Sequence, residues 1–269
     1  MLLLPPAALL VASALPAASG FVVQSVERRA RVPWSRGRIA TLSRETAAQA
    51  LFSALRPLPW PVALPSPPTA PTRAAETPIL LVPCPLRGRA SMAFLATFLR
   101  SRGAVVWTSA PLTAPDHGLA DQAAHLDRQL DELLVHTGAP RADLVCHGIG
   151  GLAAAWLLRH GDRADRVHRL VTMGTPWAGT RMAAFLPGRA AVETRPEAHH
   201  LDGLRPPCVP TVSIWCPDDP AIVPAEAAIA DPLASVAIEG AGHAGLLLSA
   251  RSFRAVWDAL GRALPGEPT

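Results

Sequence analysis

From Ile79 onward, short unbroken apolar runs alternate with longer stretches in which apolar residues return every three or four positions. The runs ILLVP (79–83), AVVWT (104–108), ADLVC (142–146), VHRLVTM (167–173), TVSIWC (211–216) and SVAIE (235–239) read as buried strands. Between and after them, 90–103, 119–138, 151–161 and 246–264 read as helices. In 119–138 the apolar side carries Leu119, Leu126, Leu130 and Leu133, and Gly138 is its stop, as Gly103 is for the first helix. Continuous apolar strands separated by helices imply an α/β fold, a mostly parallel sheet with helices on both faces. In such sheets the chemistry gathers at the carboxyl ends of the strands. Those ends are Pro83-Cys84, Cys146 to Gly150, Met173-Gly174, Cys216 to Asp219, and Glu239 to His243.

The chain before Ile79 is patterned differently. Residues 1–26 carry no charged side chain and are long enough to span a bilayer, which needs about 20 apolar residues. Pro5, Pro6, Pro16 and Gly20 weaken the segment as a helix. Its first reading is a membrane anchor, which makes the protein membrane-associated. The second is a secretion signal cleaved near Ala17 and Ala18, and the third a buried helix. Arg28, Arg29, Arg31, Arg36 and Arg38 follow it, so an uncleaved anchor keeps the rest of the chain in the cytoplasm, whereas cleavage sends it outside. Residues 38–56 have helical spacing, with Ile39, Leu42, Ala50, Leu51, Ala54 and Leu55 on one side, to lie on a membrane or pack on the domain. The Pro-rich stretch that follows cannot hold a helix or a central strand, so 27–78 reads as an amphipathic helix and a linker.

Composition narrows the function. With 49% hydrophobic and 17% charged residues, wholesale disorder is excluded. Twenty-five basic against 21 acidic residues leave +4, with no dense basic run, which speaks against a nucleic-acid partner. Cys84, Cys146, Cys208 and Cys216 have neither CxxC spacing nor the density of a disulfide framework. His199-His200 lack a ligand set at matching spacing, so no metal is expected.

Four segments resemble the α/β-hydrolases, specifically the bacterial lipases. DLVCHGIGGLAAAWLLRHG is similar to their strand–elbow–helix DLVGHSxGGL, where serine sits at the tip of a sharp turn. RLVTMGTPWAGT resembles LVTLGTPHxGT, SIWCPDDPAIVP resembles SIYSxxDxxVVP, and IEGAGHAGLLLSARSF resembles GVGHxxLL. The order elbow, acid, histidine is kept. The resemblance implies an α/β-hydrolase domain over 79–265, a short cap at about 175–208, and serine-dependent lipase or esterase chemistry without a cofactor. It makes Asp219 the acid, with Asp218 its neighbouring rival, and His243 the base. It also implies an oxyanion donor at the Ile149 N–H.

Two positions depart from the pattern. The nucleophile's place is Gly148, which has no side chain to attack with. Losing a triad nucleophile costs on the order of 10⁶ in rate. The second oxyanion donor's place is Pro85, which has no N–H, and losing one donor costs about 10²–10³. Cys146 is an alternative nucleophile. With Cys84 at the neighbouring strand end it could instead form a disulfide, bind a metal with His147 or His243, or be a small buried residue. Trp177 and Trp215 line a pocket or fill the core. The expectation is a catalytically degenerate lipase/esterase-like protein with a lipid or acyl-ester ligand, binding or membrane-associated. The alternative is an active carboxylic-ester hydrolase in which His243 and Asp219 work with activated water or Cys146. The sequence leaves the oligomeric state open.

Overall fold

The computed structural model describes residues 6–27, 36–55 and 77–261, apart from 163 and 206. The Pro-rich stretch up to residue 76 and the end of the expected final helix lie outside the described residues. Six strands form one sheet: β1 (Ile79–Val82), β2 (Val106–Thr108), β3 (Ala142–His147), β4 (Val167–Met173), β5 (Thr211–Trp215) and β6 (Ser235–Ala237). Their order is β2-β1-β3-β4-β5-β6, and every neighbouring pair is parallel.

Strands β1 and β3 are buried along their whole length because both faces are covered, whereas edge strand β6 is partly exposed. Ile79 and Leu81 of β1 enter one layer, Leu80 and Val82 the other. The first layer is closed by α3 (Ala93–Arg100) through Leu95 and Leu99, and by α7 (Ala250–Ala259) through Val256 and Trp257. The second is closed by α4 (Leu119–Thr137) through Leu126, Leu130 and Leu133, and by α5 (Ile149–His160) through Leu152. Each such leucine contributes about 1.5–3 kcal/mol relative to exposure. The chain leaves β1 for edge strand β2, then crosses back to β3 on the other side of β1. That reversal opens a crevice at the carboxyl ends of β1 and β3, where α/β sheets hold their ligands.

The final helix is shorter than its apolar pattern. Residues Gly245–Leu247 form a 3₁₀ turn, and α7 starts after Ser249, whose hydroxyl accepts the Ser252 N–H at 3.4 Å. This side-chain cap sets the boundary, which hydrophobic spacing does not mark.

Two helices precede the sheet, α1 (Pro6–Glu27) and α2 (Arg36–Leu55). Helix α2 packs on the domain, with Ala48 and Phe52 in the first layer. The face it buries overlaps the one its apolar spacing marks only at Ala50 and the half-buried Leu42 and Leu55. Arg38, Thr41, Glu45, Ala48 and Phe52 are buried, whereas Ile39, Leu51 and Ala54 are exposed. Helix α1 lies across the 217–220 loop: Gln24 donates to the Pro217 carbonyl at 3.1 Å, and Gly20 abuts the Pro220 backbone. Among the described residues, no helix is long and apolar enough to cross a membrane.

Candidate active site

Strand β3 ends at His147 and α5 begins at Ile149, so Gly148 alone makes the turn, with φ 55° and ψ −130°. That φ is in the left-handed region, which glycine adopts without strain. The turn is held from three sides. Gly148 N–H donates to the Met173 carbonyl at 3.0 Å. The Gly148 carbonyl accepts the Gly151 N–H at 3.0 Å and the Thr175 hydroxyl at 2.9 Å. Thr175 thereby acquires a role that its place in the sequence did not disclose.

Facing the turn is a histidine–carboxylate pair. His243 Nδ1 lies 2.9 Å from Asp219 Oδ2, and both residues are buried. The other Asp219 oxygen accepts the Ala221 and Ile222 N–H groups at 2.8 and 3.0 Å. This fixes the carboxylate and, through it, the ring tautomer that leaves Nε2 as a base. Asp218 instead faces Arg38 of α2 at 3.9 Å. A Cβ on Gly174, at the tip of β4, would stand 2.9 Å from His243 Nδ1 and 3.2 Å from Asp219 Oδ2, so only glycine admits the pair there. His243 Nε2 has no hydrogen-bond partner among the described residues and points at Gly148. It lies 3.4 Å from where a Cβ of residue 148 would be.

The loop carrying His243 is anchored by two groups that sequence reasoning missed. Glu45 of α2, fully buried, accepts the Ala244 N–H at 2.9 and 2.8 Å on its two oxygens and the Gly245 N–H at 3.1 Å. Gln49 donates to it at 2.8 Å, and the Arg87 guanidinium lies 3.9 Å away. Backbone donors aimed at a carboxylate make charge-assisted bonds, which is how α2 buries an acid. Beneath His243, the His147 ring lies 4.5 Å away between centroids and donates Nε2–H to the His243 carbonyl at 3.1 Å. Burial first, then the neighbouring His243 and Arg87, hold its pKa well below the ordinary 6.5, so it is neutral.

The cysteines occupy different places. All four are free thiols. Cys146 points into the apolar layer under α4 and α5, fully buried, with its pKa pushed up by burial, and it does not line the crevice. Unlike Cys84, which belongs to the same layer, it does not border the space that His243 faces. Cys216 accepts the Gly242 N–H at 3.2 Å, and burial chiefly pushes its thiol up to about 11. Cys84, two residues beyond β1, does line the crevice, and its sulfur lies 3.5 Å from the Cβ position of residue 148. Burial raises its pKa, partly offset by Arg87 and by backbone N–H groups of Leu86, Ile149 and Arg87 directed at the sulfur. The Ile149 N–H therefore faces the Cys84 sulfur. Pro85 is buried facing away from the crevice.

Above these groups is a cavity of about 430 Å³, within the usual range of roughly 300–1,000 Å³ for small-molecule sites. Its walls are mostly apolar: Leu86, Ile149, Met182, Phe185, Leu186 and Ile222. The cap supplies Met182, Phe185 and Leu186, from and beside a 3₁₀ segment at Arg181–Phe185 that is followed by the short helix α6 (Arg189–Val192). Leu15 and Ser19 of α1 close one side. Neither Trp177 nor Trp215 lines it. Trp177 is fully buried in the second layer and Trp215 packs against Ile222 and its neighbours. His200 stands edge-on to Trp156. Among the described residues no three metal-ligating side chains gather.

No family model and no curated protein sequence matches the chain. Solved structures do. The chain is similar to Aspergillus fumigatus lipase B, at 15% identity and TM-score 0.63 over 98% of this chain and 86% of that one. It is similar to Bacillus licheniformis lipase BlEst2 in its mature form, at 16% identity and TM-score 0.61, covering 70% and 93%. A third likeness is to the lin2722 gene product of Listeria innocua, at 15% identity and TM-score 0.55, covering 71% and 96%. Six parallel strands in this order, a one-residue elbow after β3, and these likenesses give the chain the α/β-hydrolase fold.

Proposed function

We propose that the protein binds an acyl-chain ligand, a lipid or an acyl ester, and has lost ester turnover through a serine acyl-enzyme. The observation that carries this is Gly148, a residue with no side chain at the spot His243 Nε2 faces. The apolar cavity around that spot supports an acyl ligand. A location at a lipid surface belongs to the same reading. Leu15, Val22 and Val26 of α1 are exposed, and Phe185 is exposed beside the cavity that Leu15 also lines. Burying each such side chain in a bilayer contributes about 1.5–3 kcal/mol.

Thermal unfolding of the full chain with octanoate or lysophosphatidylcholine tests the binding. A ligand at 100 times its Kd stabilises by about 2.7 kcal/mol. Saturable stabilisation that Ile222→Trp abolishes supports the reading, and no shift up to solubility refutes it. Co-sedimentation with anionic and zwitterionic vesicles tests the surface location. A second reading, direct hydrolysis by activated water, is favoured by the intact His243–Asp219 pair. Multiple-turnover hydrolysis lost in His243→Ala would establish it.

A further inference from the structure

We propose that Cys84 accepts an acyl group from an acyl thioester, with His243 as its base. The inference rests on the reading of the cavity as an acyl-chain site and adds a covalent step to it. Three observations converge. The sulfur of Cys84 is 3.5 Å, and Nε2 of His243 is 3.4 Å, from the point where a Cβ of residue 148 would begin. The space an elbow serine would fill is therefore vacant and bounded by a nucleophile on one side and a base on the other. His243 is about nine-tenths buried, oriented by Asp219, and its Nε2 faces that space without a partner among the described residues. The same space opens into the apolar cavity, which Cys84, Gly148 and His243 all line.

A carbonyl carbon held in the cavity at the roughly 3–3.5 Å attack distance from the Cys84 sulfur sits further out than that Cβ point, beside His243, which lines the same cavity. Nε2 of His243 takes the S–H proton as the sulfur bonds to the carbonyl carbon. The tetrahedral intermediate then expels the donor's thiolate, which receives that proton from His243. The products are a thioester on Cys84 and a free thiol, so one thioester bond is exchanged for another and no oxidant or reductant is needed. Exchange between thioesters is close to isoenergetic, whereas taking an acyl group from an alkyl ester onto sulfur is uphill, which sets the donor class. Cys146, in the same layer but outside the cavity lining, has no such access.

The test incubates the full chain with the octanoyl thioester of N-acetylcysteamine and follows intact mass, with peptide mapping of the adduct. One octanoyl group, released by neutral hydroxylamine and mapped to Cys84, is expected. His243→Ala should slow its appearance by about 10²-fold or more. Cys208→Ala, at an exposed thiol, should leave the rate unchanged. Modification confined to Cys208, or a Cys84 rate indifferent to His243→Ala, overturns the proposal. Because mapping is done on the native chain, the result does not depend on any variant folding. Octanoate stabilisation in the same preparation separates the two readings. Binding without an adduct overturns the Cys84 step alone, and no binding overturns the acyl site on which it rests.

Discussion

Replacing Gly148 by serine probes how much of a hydrolase survives in this frame. A Cβ there meets Cys84 Cβ and His243 Nε2 at 3.4 Å and Cys84 Sγ at 3.5 Å, ordinary contacts that need no rearrangement. With tetrahedral geometry at the hydroxyl, an Oγ turned towards Nε2 lies about 2.7 Å from it, within the roughly 2.6–3.2 Å of a nucleophile–base pair. The serine must adopt φ near 55°, which costs about 1–3 kcal/mol. For a domain of this size that lowers Tm by roughly 2–12 °C. A restored nucleophile is worth on the order of 10⁶ in rate, and an oxyanion site missing one donor takes back about 10²–10³. With Cys84 standing before the Ile149 N–H as well, the expected gain is at most about 10³–10⁴ over the native chain. The assay is steady-state hydrolysis of p-nitrophenyl butyrate by full-length native, Gly148→Ser and Gly148→Ser/His243→Ala proteins, with Tm measured alongside. A folded Gly148→Ser protein whose rate equals that of its His243→Ala derivative would refute the geometry argued here.

Further outcomes follow from the same contacts. Cys84→Gly added to Gly148→Ser clears the space before the Ile149 N–H, and should raise kcat by up to about 10² with KM little changed; an unchanged kcat would show that the sulfur does not occupy the oxyanion position. Glu45→Ala strands the Ala244 and Gly245 N–H groups, with an expected loss of about 2–5 kcal/mol in urea unfolding, whereas a loss under 1 kcal/mol would mean that α2 does not anchor the His243 loop. His147 binds no proton in the fold at pH values where the unfolded chain does. Stability is therefore full above about pH 6.5 and falls as pH drops below it, by up to about 1.4 kcal/mol per unit for this one group. Unfolding measured from pH 7.5 to 5 should show that slope, and His147→Gln should reduce it.

The strands were legible because a sheet covered on both faces needs apolar residues at every position, and such runs stand out between helical stretches. The resemblance points to Asp219 and His243, and the structure brings these two side chains within 2.9 Å while Asp218 faces Arg38. What escaped the sequence has a common physical cause. Glu45 looks like a surface charge because its partners, the Ala244 and Gly245 N–H groups, are about 200 residues away and carry no side-chain signature. The apolar spacing of α2 therefore named Ile39 and Leu51, which are exposed, and passed over most of the face that is buried. Cys84 and Cys146 both sit at strand ends and in the second layer, and only the three-dimensional position of the cavity, which Cys84 alone of the two borders, separates them. Ser249, which starts α7, interrupts an apolar run too briefly to be read as its boundary.

The central claim is an acyl-binding lipase-like frame without serine turnover, and p-nitrophenyl octanoate hydrolysis by the native full chain tests it most directly. At most about one equivalent of p-nitrophenol per chain is expected, with no steady-state rate above that of His243→Ala. Sustained multiple turnover that disappears in His243→Ala would contradict it.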